Sequence, residues 1–289
     1  MTCSSVVLIL ALARIYTVTF DKATGYLSGY HDGARQMVKA PFEPNFWRAE
    51  LDNDWRGWKA LTYLGDWKTA QAYLASDAAD TKVEASVDGL VAVVKVSKDI
   101  HDGKAALEMV YSVYPDGRVN VVYDLKIAES TLEPIRVGLQ GQIARCCDNI
   151  TYFGRGPQEN YSDRCDGIFL GTWTSTVEDL MTQYVFPQEN GNRTGVEWIS
   201  MTDAKGKGVQ IVGDQPLSVS VWNTTQDALN SAKHIGEAPV LEDSFVLNVD
   251  LVQNGVGGTD TWSSKARPYD KYRLLEKEYS YGFWIVPVK

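Results

Sequence analysis

The sequence predicts an all-β protein, a large two-sheet antiparallel sandwich with one or two short helices. Three observations predict it. Apolar residues alternate at period two over several segments, turn-forming residues separate those segments, and helical periodicity is almost absent. Leu107, Met109, Tyr111 and Val113 lie two apart, Pro115-Asp116-Gly117 supplies turn dihedrals, and Val119, Val121, Tyr123 and Leu125 alternate again.

In chain order, the first unusual segment is Val6–Ala13, VVLILALA, followed by Arg14. It is short for a secretory signal, no Lys or Arg precedes it, and it cannot span a bilayer. Residues 1–15 therefore read as an atypical leader or a buried strand, although Ala11-Leu12-Ala13 resembles a cleavage site. Asp66 is placed to cap a helix through Ser76 with Trp67, Ala70 and Leu74 on one face. Thr81–Val87 and Leu90–Ser97 flank Asp88-Gly89 as a hairpin. Val209–Val212 and Leu217–Trp222 flank Gly213-Asp214-Gln215-Pro216 in the same manner, and Phe245–Val252 and Tyr279–Val288 are further strands. No eightfold strand–helix alternation, fixed-period repeat or Pro/Gly/Ser linker interrupts residues 16–289, which read as one domain.

Composition narrows the function classes. A net charge of −9 without a basic run argues against nucleic acid or an anionic membrane as partner. Four cysteines (Cys3, Cys146, Cys147, Cys165) have no CxxC spacing, and three histidines (His31, His101, His234) stand in unrelated contexts, so no zinc site or disulfide framework is indicated. The 9 Trp and 15 Tyr suit half-buried strands, and equally suit sugar binding, where a flat ring covers the C–H face of a pyranose.

Four stretches fall outside simple alternation: Phe46–Arg56, Phe153–Arg164, Tyr184–Arg193 and Asn254–Ser263. They read as loops on a rigid frame, where binding usually resides. Gly154 and Gly156 lead into Pro157 without a third glycine or a Lys-Ser/Thr, which excludes a good phosphate loop, and no GxSxG elbow is present. Asp52, Asp54, Glu159, Asp163 and Glu189 offer carboxylate pairs of the kind glycosidases use, but Arg48, Arg155, Arg164 and Arg193 lie in the same stretches and are natural partners that would fix loop shape. Trp262, after Gly255, Gly257 and Gly258, either plugs a neighbouring domain or forms a sugar platform.

Together these stretches resemble, from about Tyr16 onward and in the same order, the C-terminal domain or small subunit of lac-type β-galactosidases of glycoside hydrolase family 2. Arg48-Ala49-Glu50-Leu51-Asp52-Asn53-Asp54 matches the family's R-A-P-L-D-N-D except at Glu50. Gly154–Arg164 matches G-x-G-P-x-E-N-Y-x-D-R, Tyr184–Gly191 matches Y-x-x-P-x-E-N-G, and Gly255–Trp262 matches G-x-G-G-x-D-S-W with Thr261 for Ser. The resemblance implies a two-sheet super-sandwich similar to galactose mutarotases, acting in hydrolysis of terminal β-D-galactosides such as lactose. It also implies that the catalytic glutamates, and the Mg2+ and Na+ of the complete enzyme, sit on other domains, with a (β/α)₈ barrel as partner and no cofactor or catalytic residue on this chain. Trp262 is then expected to wall the sugar site, with Asp54 and Arg56 near it, while Glu159, Asn160, Arg164, Glu189, Asn190 and Arg193 are expected to be structural. The segment Trp55-Arg56-Gly57-Trp58 departs from the family's mobile loop, and residues 1–14 replace its upstream connection. A stand-alone carbohydrate-binding module and a mutarotase-like epimerase are the alternatives, the second needing a His acid and a carboxylate base in one cleft. Little sugar binding by the lone chain is expected from one pocket wall. The expected compartment is the cytoplasm, with periplasm or secretion if the apolar run is a signal.

Overall fold

The computed structural model describes residues 7–10, 16–74, 81–100 and 103–289, with Val7–Leu10 as backbone only. Among these residues fifteen strands form: β1 (Val7–Leu10), β2 (Thr17–Phe20), β3 (Leu27–His31), β4 (Gln36–Asn45), β5 (Thr81–Asp88), β6 (Val91–Ile100), β7 (Ala105–Val113), β8 (Val119–Ile127), β9 (Arg136–Ala144), β10 (Asn149–Gly156), β11 (Phe169–Ser175), β12 (Arg193–Thr202), β13 (Gly208–Trp222), β14 (Ser244–Gln253) and β15 (Glu278–Val288). Three α-helices accompany them: α1 (Ala60–Leu74), α2 (Val177–Leu180) and α3 (Gln226–Ser231). None of them is long and apolar enough to cross a membrane.

All pairings are antiparallel and run in one path, β1-β2-β3-β4-β9-β14-β13-β15-β8-β7-β6-β5, with β10–β12 branching from β13. The path folds back on itself. Phe20 on β2 meets Tyr111 on β7 edge-on at 5.0 Å, and the Tyr30 hydroxyl on β3 donates to the Gly117 carbonyl between β7 and β8 at 2.9 Å. Distant parts of the path thus face each other across the core, which is the sandwich that period-two patterning requires. The predicted β7–β8 hairpin is present with Val113 opposite Val119, and Leu107, Met109, Tyr111 and Val113 are buried as their spacing demands.

Two expectations need correction. The segment around Gly213–Pro216 is not a hairpin. β13 runs through it, pairing with β15 up to Gly213 and with β14 from Ser218, and bends where it changes partner. Pro216 has no N–H to give to a ladder, and a Cβ on Gly213 would lie 2.2 Å from the Gln215 carbonyl oxygen, so both residues suit the bend. The helix begins at Ala60, not at Asp66, and reaches at least Leu74; Ser76 lies outside the described residues. Its buried stripe includes Ala60 and Leu64 as well as Trp67, Ala70 and Leu74. Asp66 sits in its middle, so the cap signal was a surface acid. Of the N-terminal apolar run, Val7–Leu10 pairs with β2, while residues 11–15 and His101 lie outside the described residues.

Candidate functional site

The four polar stretches meet at one end of the sandwich, and two buried arginines explain how. After β4 the chain enters the core at Phe46 and Trp47, which carries the Arg48 side chain inside. Arg48 grips Asp54 with Nε to Oδ2 at 2.9 Å and Nη2 to Oδ1 at 3.0 Å, both side chains essentially without solvent contact. Asp54 also accepts from the Leu51 amide and from Trp58 Nε1, so its lone pairs are consumed locally. The remaining Arg48 donors reach the carbonyls of Asn254 and Gly255 at 2.9 and 3.0 Å, tying the first stretch to the fourth. Asn53–Gly57 wind into a single π-turn, from which Asn53 Nδ2 donates to Val256 and Ala266 carbonyls.

The second and third stretches interlock similarly. Asn160 is fully buried. Its amide donates to the Arg155 and Gln158 carbonyls and its Oδ1 accepts from the Thr194 amide and hydroxyl. Glu159 accepts from the Tyr184 hydroxyl, from Arg164 Nη2 at 2.5 Å and from the Gly191 amide at 2.7 Å. Burial would raise its carboxyl, but these hydrogen bonds outweigh burial and hold it below the usual range. Arg193 donates to the Leu180, Gly191 and Pro157 carbonyls, and Asn190 receives the Thr182 amide while donating to the Gln188 carbonyl. These side chains shape loops.

Beneath them lies a group hidden within the strand pattern. Arg136 on β9 donates to Glu189 Oε1 at 2.9 Å and stands 3.2 Å from Asp250 Oδ2 on β14, all three without solvent contact. Gln253 Nε2 donates to the same Glu189 oxygen. Neither Asp250 oxygen accepts a protein hydrogen bond, and burial pushes its carboxyl up to about 7, with the neighbouring Glu189 adding to the shift. Burial likewise raises Glu189 against the pull of Arg136 and Arg48. A carboxylate so enclosed holds a fold together more readily than it meets substrate.

The fourth stretch is fastened from below and open above. Asp163 Oδ2 accepts from the amides of Val256 and Gly257, both at 2.8 Å. Gly258 packs so closely that a Cβ would lie 2.5 Å from the Ala266 backbone. Asp260 receives the Trp262 and Ser263 amides and the Ser263 hydroxyl, which pins the turn. Glu133, buried between β8 and β9, takes Arg267 and Arg273 and anchors the segment that follows. Trp262 itself is 77% exposed, an unusual position for the largest apolar ring.

The structure therefore divides the expected residues. Trp262 and Arg56 face solvent, whereas Asp54 faces inward. A pocket of about 140 Å³ lies where the four stretches converge, bounded by Asp52, Asn53, Tyr161, Arg164, Glu189 and Val256. A larger cleft of about 440 Å³ lies beside it and includes Trp55, Arg56 and Phe186. The Trp55 and Phe186 rings stack at 5.8 Å, and the Arg56 guanidinium sits 4.4 Å from the Trp55 ring centre. Sequence reading missed Arg136, Asp250, Gln253 and Glu133. For Arg136 and Asp250 the available signal was a charge within a strand of mostly apolar residues, and Gln253 and Glu133 carried none. His31 is tied to the Gly33 amide and His234 to Glu237. Among the described residues no three His, Cys, Asp or Glu side chains gather as a metal site.

Comparison with known proteins identifies the family. The family model described as "Beta galactosidase small chain" matches residues 13–285. The chain is 34% identical over 263 residues to a β-galactosidase of Halalkalibacterium halodurans and 31% identical over 274 residues to one of Priestia megaterium. These alignments cover 90% and 94% of this chain but only 25% and 26% of those proteins, so it spans about a quarter of their length. Among solved structures, a putative aldose 1-epimerase of Escherichia coli K12 superposes with a TM-score of 0.54 at 8% identity, covering 99% of both chains. Galactose 1-epimerase of Lactobacillus acidophilus gives 0.51 at 9% identity, covering 98% of this chain and 97% of that one. These likenesses establish the galactose mutarotase-like fold predicted from the motifs. Four ordered motifs, the clasp they build and a family match across nearly the whole length lead to one assignment: the chain belongs to the β-galactosidase small-chain family.

Proposed function

We propose that this chain is the C-terminal module or small subunit of a lac-type family 2 β-galactosidase, supplying one wall of the galactoside site to a barrel-bearing partner. The observation that carries the reading is the clasp itself. Four stretches distant in sequence are locked by Arg48, Asp163 and Glu159, and the result presents Trp262 on a rigid turn with its indole open. A preorganised ring loses little conformational freedom when a sugar face stacks on it. Arg56 is the second expected contact, through its exposed guanidinium. Asp54 would act indirectly, by fixing the turn that carries Arg56.

In this reading Glu159 and Glu189 are not the acid or nucleophile. Glu159 is saturated by donors and Glu189 is enclosed, and both catalytic carboxylates and the Mg2+ and Na+ belong to the partner. The test is hydrolysis of a chromogenic β-galactoside by the purified chain, alone and with a barrel-bearing chain. Turnover is expected only in the mixture, and robust turnover by the lone chain would overturn the reading. In the active mixture Trp262→Ala should raise KM for lactose about tenfold, because stacking also acts in the ground state.

A further inference from the structure

We propose that Cys146, together with the basic cleft that Arg35 joins to it, is a covalent modification site that forms a mixed disulfide with a small thiol carrying carboxylates. The site lies apart from the proposed galactoside wall. The clasp sits at the Asn45, Arg136 and Trp222 ends of β4, β9 and β13, whereas this site sits at their Gln36, Ala144 and Gly208 ends.

Three turns build it. Cys146 and Cys147 occupy the turn after β9, where the Cys147 amide donates to the Ala144 carbonyl at 3.0 Å. Arg35 ends the turn before β4, and residues 203–207 form the turn between β12 and β13. The Arg35 guanidinium connects all three. Its Nη1 donates to the Cys146 sulfur at 3.3 Å and its Nη2 to Asp203 Oδ2 at 2.7 Å. Reactive cysteines sit in electropositive surroundings that solvent reaches, and Cys146, exposed beside a guanidinium, meets both conditions.

Cys147 restricts the product. It is buried with its sulfur 4.0 Å from that of Cys146, and burial, with Cys146 adding to the effect, pushes its thiol up to about 12. A protonated thiol is a poor nucleophile, and a bridge between adjacent cysteines is strained. A group attached to Cys146 therefore persists instead of being displaced by Cys147.

The neighbouring cleft selects the reagent. It has about 480 Å³ and is lined by Arg35, Lys205, Lys207 and Lys289, with Asp32 and Asp203 as its acids. Both acids are engaged by their own turns. Asp32 accepts from the Ala34 and Arg35 amides, and Asp203 accepts from the Lys205 and Lys207 amides as well as from Arg35. Lys205 and Lys207 are exposed, and among the described residues neither forms an ion pair. Their ammonium groups are left to receive carboxylates. In the reaction the Cys146 thiol gives up its proton and its sulfur attacks one sulfur of a disulfide RS–SR. The RS–SR bond breaks, the Cys146–SR bond forms, and the displaced sulfur takes up the proton and leaves as RSH. Cys146 is oxidised, the departing sulfur is reduced, and excess thiol reverses the exchange.

The test is incubation of the intact chain with glutathione disulfide, read by intact mass and peptide mapping. One glutathione is expected on Cys146 ahead of the half-buried Cys165, removable by excess reduced glutathione and absent in Cys146→Ser. The rate should fall about tenfold in the double variant Lys205→Gln, Lys207→Gln, and should also fall with added salt. With the uncharged bis(2-hydroxyethyl) disulfide the double variant should react within about twofold of the native rate, since no carboxylate is there to be held. Arg35→Gln should slow both reagents, because the guanidinium acts at the sulfur. Near-ultraviolet circular dichroism confirms that each variant is folded. Four results would overturn the proposal: no adduct on Cys146; equally fast modification of Cys165; a Cys146–Cys147 bridge as the main product; or an equal effect of the lysine substitutions on both disulfides. None of them bears on complementation by the barrel-bearing chain.

Discussion

Asp54 and Arg56 stand two residues apart in the same loop, yet the fold gives them opposite environments. Asp54 is enclosed and shares two hydrogen bonds with Arg48, whereas the Arg56 side chain is 57% exposed and its pairing with Asp52 is a loose 3.7 Å. Removing one member of a buried pair leaves the other charge without a counterion, so Asp54→Ala should cost about 3–5 kcal/mol and lower the urea midpoint markedly. Arg56→Ala should change stability by less than about 0.5 kcal/mol, and its effect belongs in ligand affinity. A urea titration of both variants separates the two roles. The sequence could not, because loop spacing lacks a period and the π-turn between them decides which side chain faces inward. The pairing of loop acids with loop arginines was legible, since Glu159 with Arg164 and Asp54 with Arg48 are neighbours along the chain. The long-range bonds that complete the clasp, Arg48 to Asn254 and Asp163 to Val256, had no such signal.

Elements were readable where local rules decide them. The β7–β8 hairpin follows from alternation on both sides of Pro-Asp-Gly, and its register is set by burial of one face. β13 shows the limit of such rules. Gly213-Asp214-Gln215-Pro216 has turn chemistry, but the strand continues because β12 pairs with it both before and after the bend. A turn signal reports that the chain bends there and leaves the partner strand open. The Trp262 loop depends on backbone proximity in the same way. Alanine at Gly258 would place its Cβ 2.5 Å from the Ala266 backbone, which no side-chain rotation relieves. Gly258→Ala should therefore destabilise by about 1–3 kcal/mol and displace the turn bearing Trp262. A lowered melting temperature together with altered quenching of the exposed indole by iodide is the expected outcome, and an unchanged quenching constant would show that the turn is set elsewhere.

Across the whole molecule, alternation revealed the apolar face of each strand and concealed what the other face does. On β14 every residue from Ser244 to Asp250 is buried. Phe245, Leu247 and Val249 face the core, and Asn248 and Asp250 lie on the opposite side, where an open sandwich would have water. The Tyr184–Arg193 stretch covers that side. Asn248 bonds Asn45, Gln140 and Ser220, while Asn192 bonds Ser218 and Gln253, making a buried polar layer from β4, β9, β13 and β14. No single segment encodes such a layer, since each residue in it looks like an ordinary solvent-facing one. Its charges predict how the molecule responds to pH. Two guanidinium groups, Arg48 and Arg136, face three enclosed carboxyls, Asp54, Glu189 and Asp250, so the group is neutral when one carboxyl keeps its proton. Asp250 is that carboxyl, with no hydrogen-bond donor and a pKa pushed up to about 7 by burial. Unfolded, it would ionise near pH 3.8. Below about pH 4 both states hold the proton and the group is neutral to stability. Between about pH 4 and 7 the folded chain retains a proton that the unfolded chain has lost, so stability falls as pH rises, by up to roughly 1.4 kcal/mol per pH unit from this one group. Glu189, raised in the same direction, adds to that slope. Asp203 and Glu159, both lowered, act with the opposite sign at lower pH, so the total curve mixes contributions. The difference between the native chain and Asp250→Asn isolates the term. Asparagine keeps the shape without the titration, and the stability of the variant relative to the native chain should improve steadily from pH 5 to 7, as read from urea unfolding at half-unit steps. Parallel curves over that range would mean that Asp250 is already ionised beside Arg136, and that the buried layer carries a net charge.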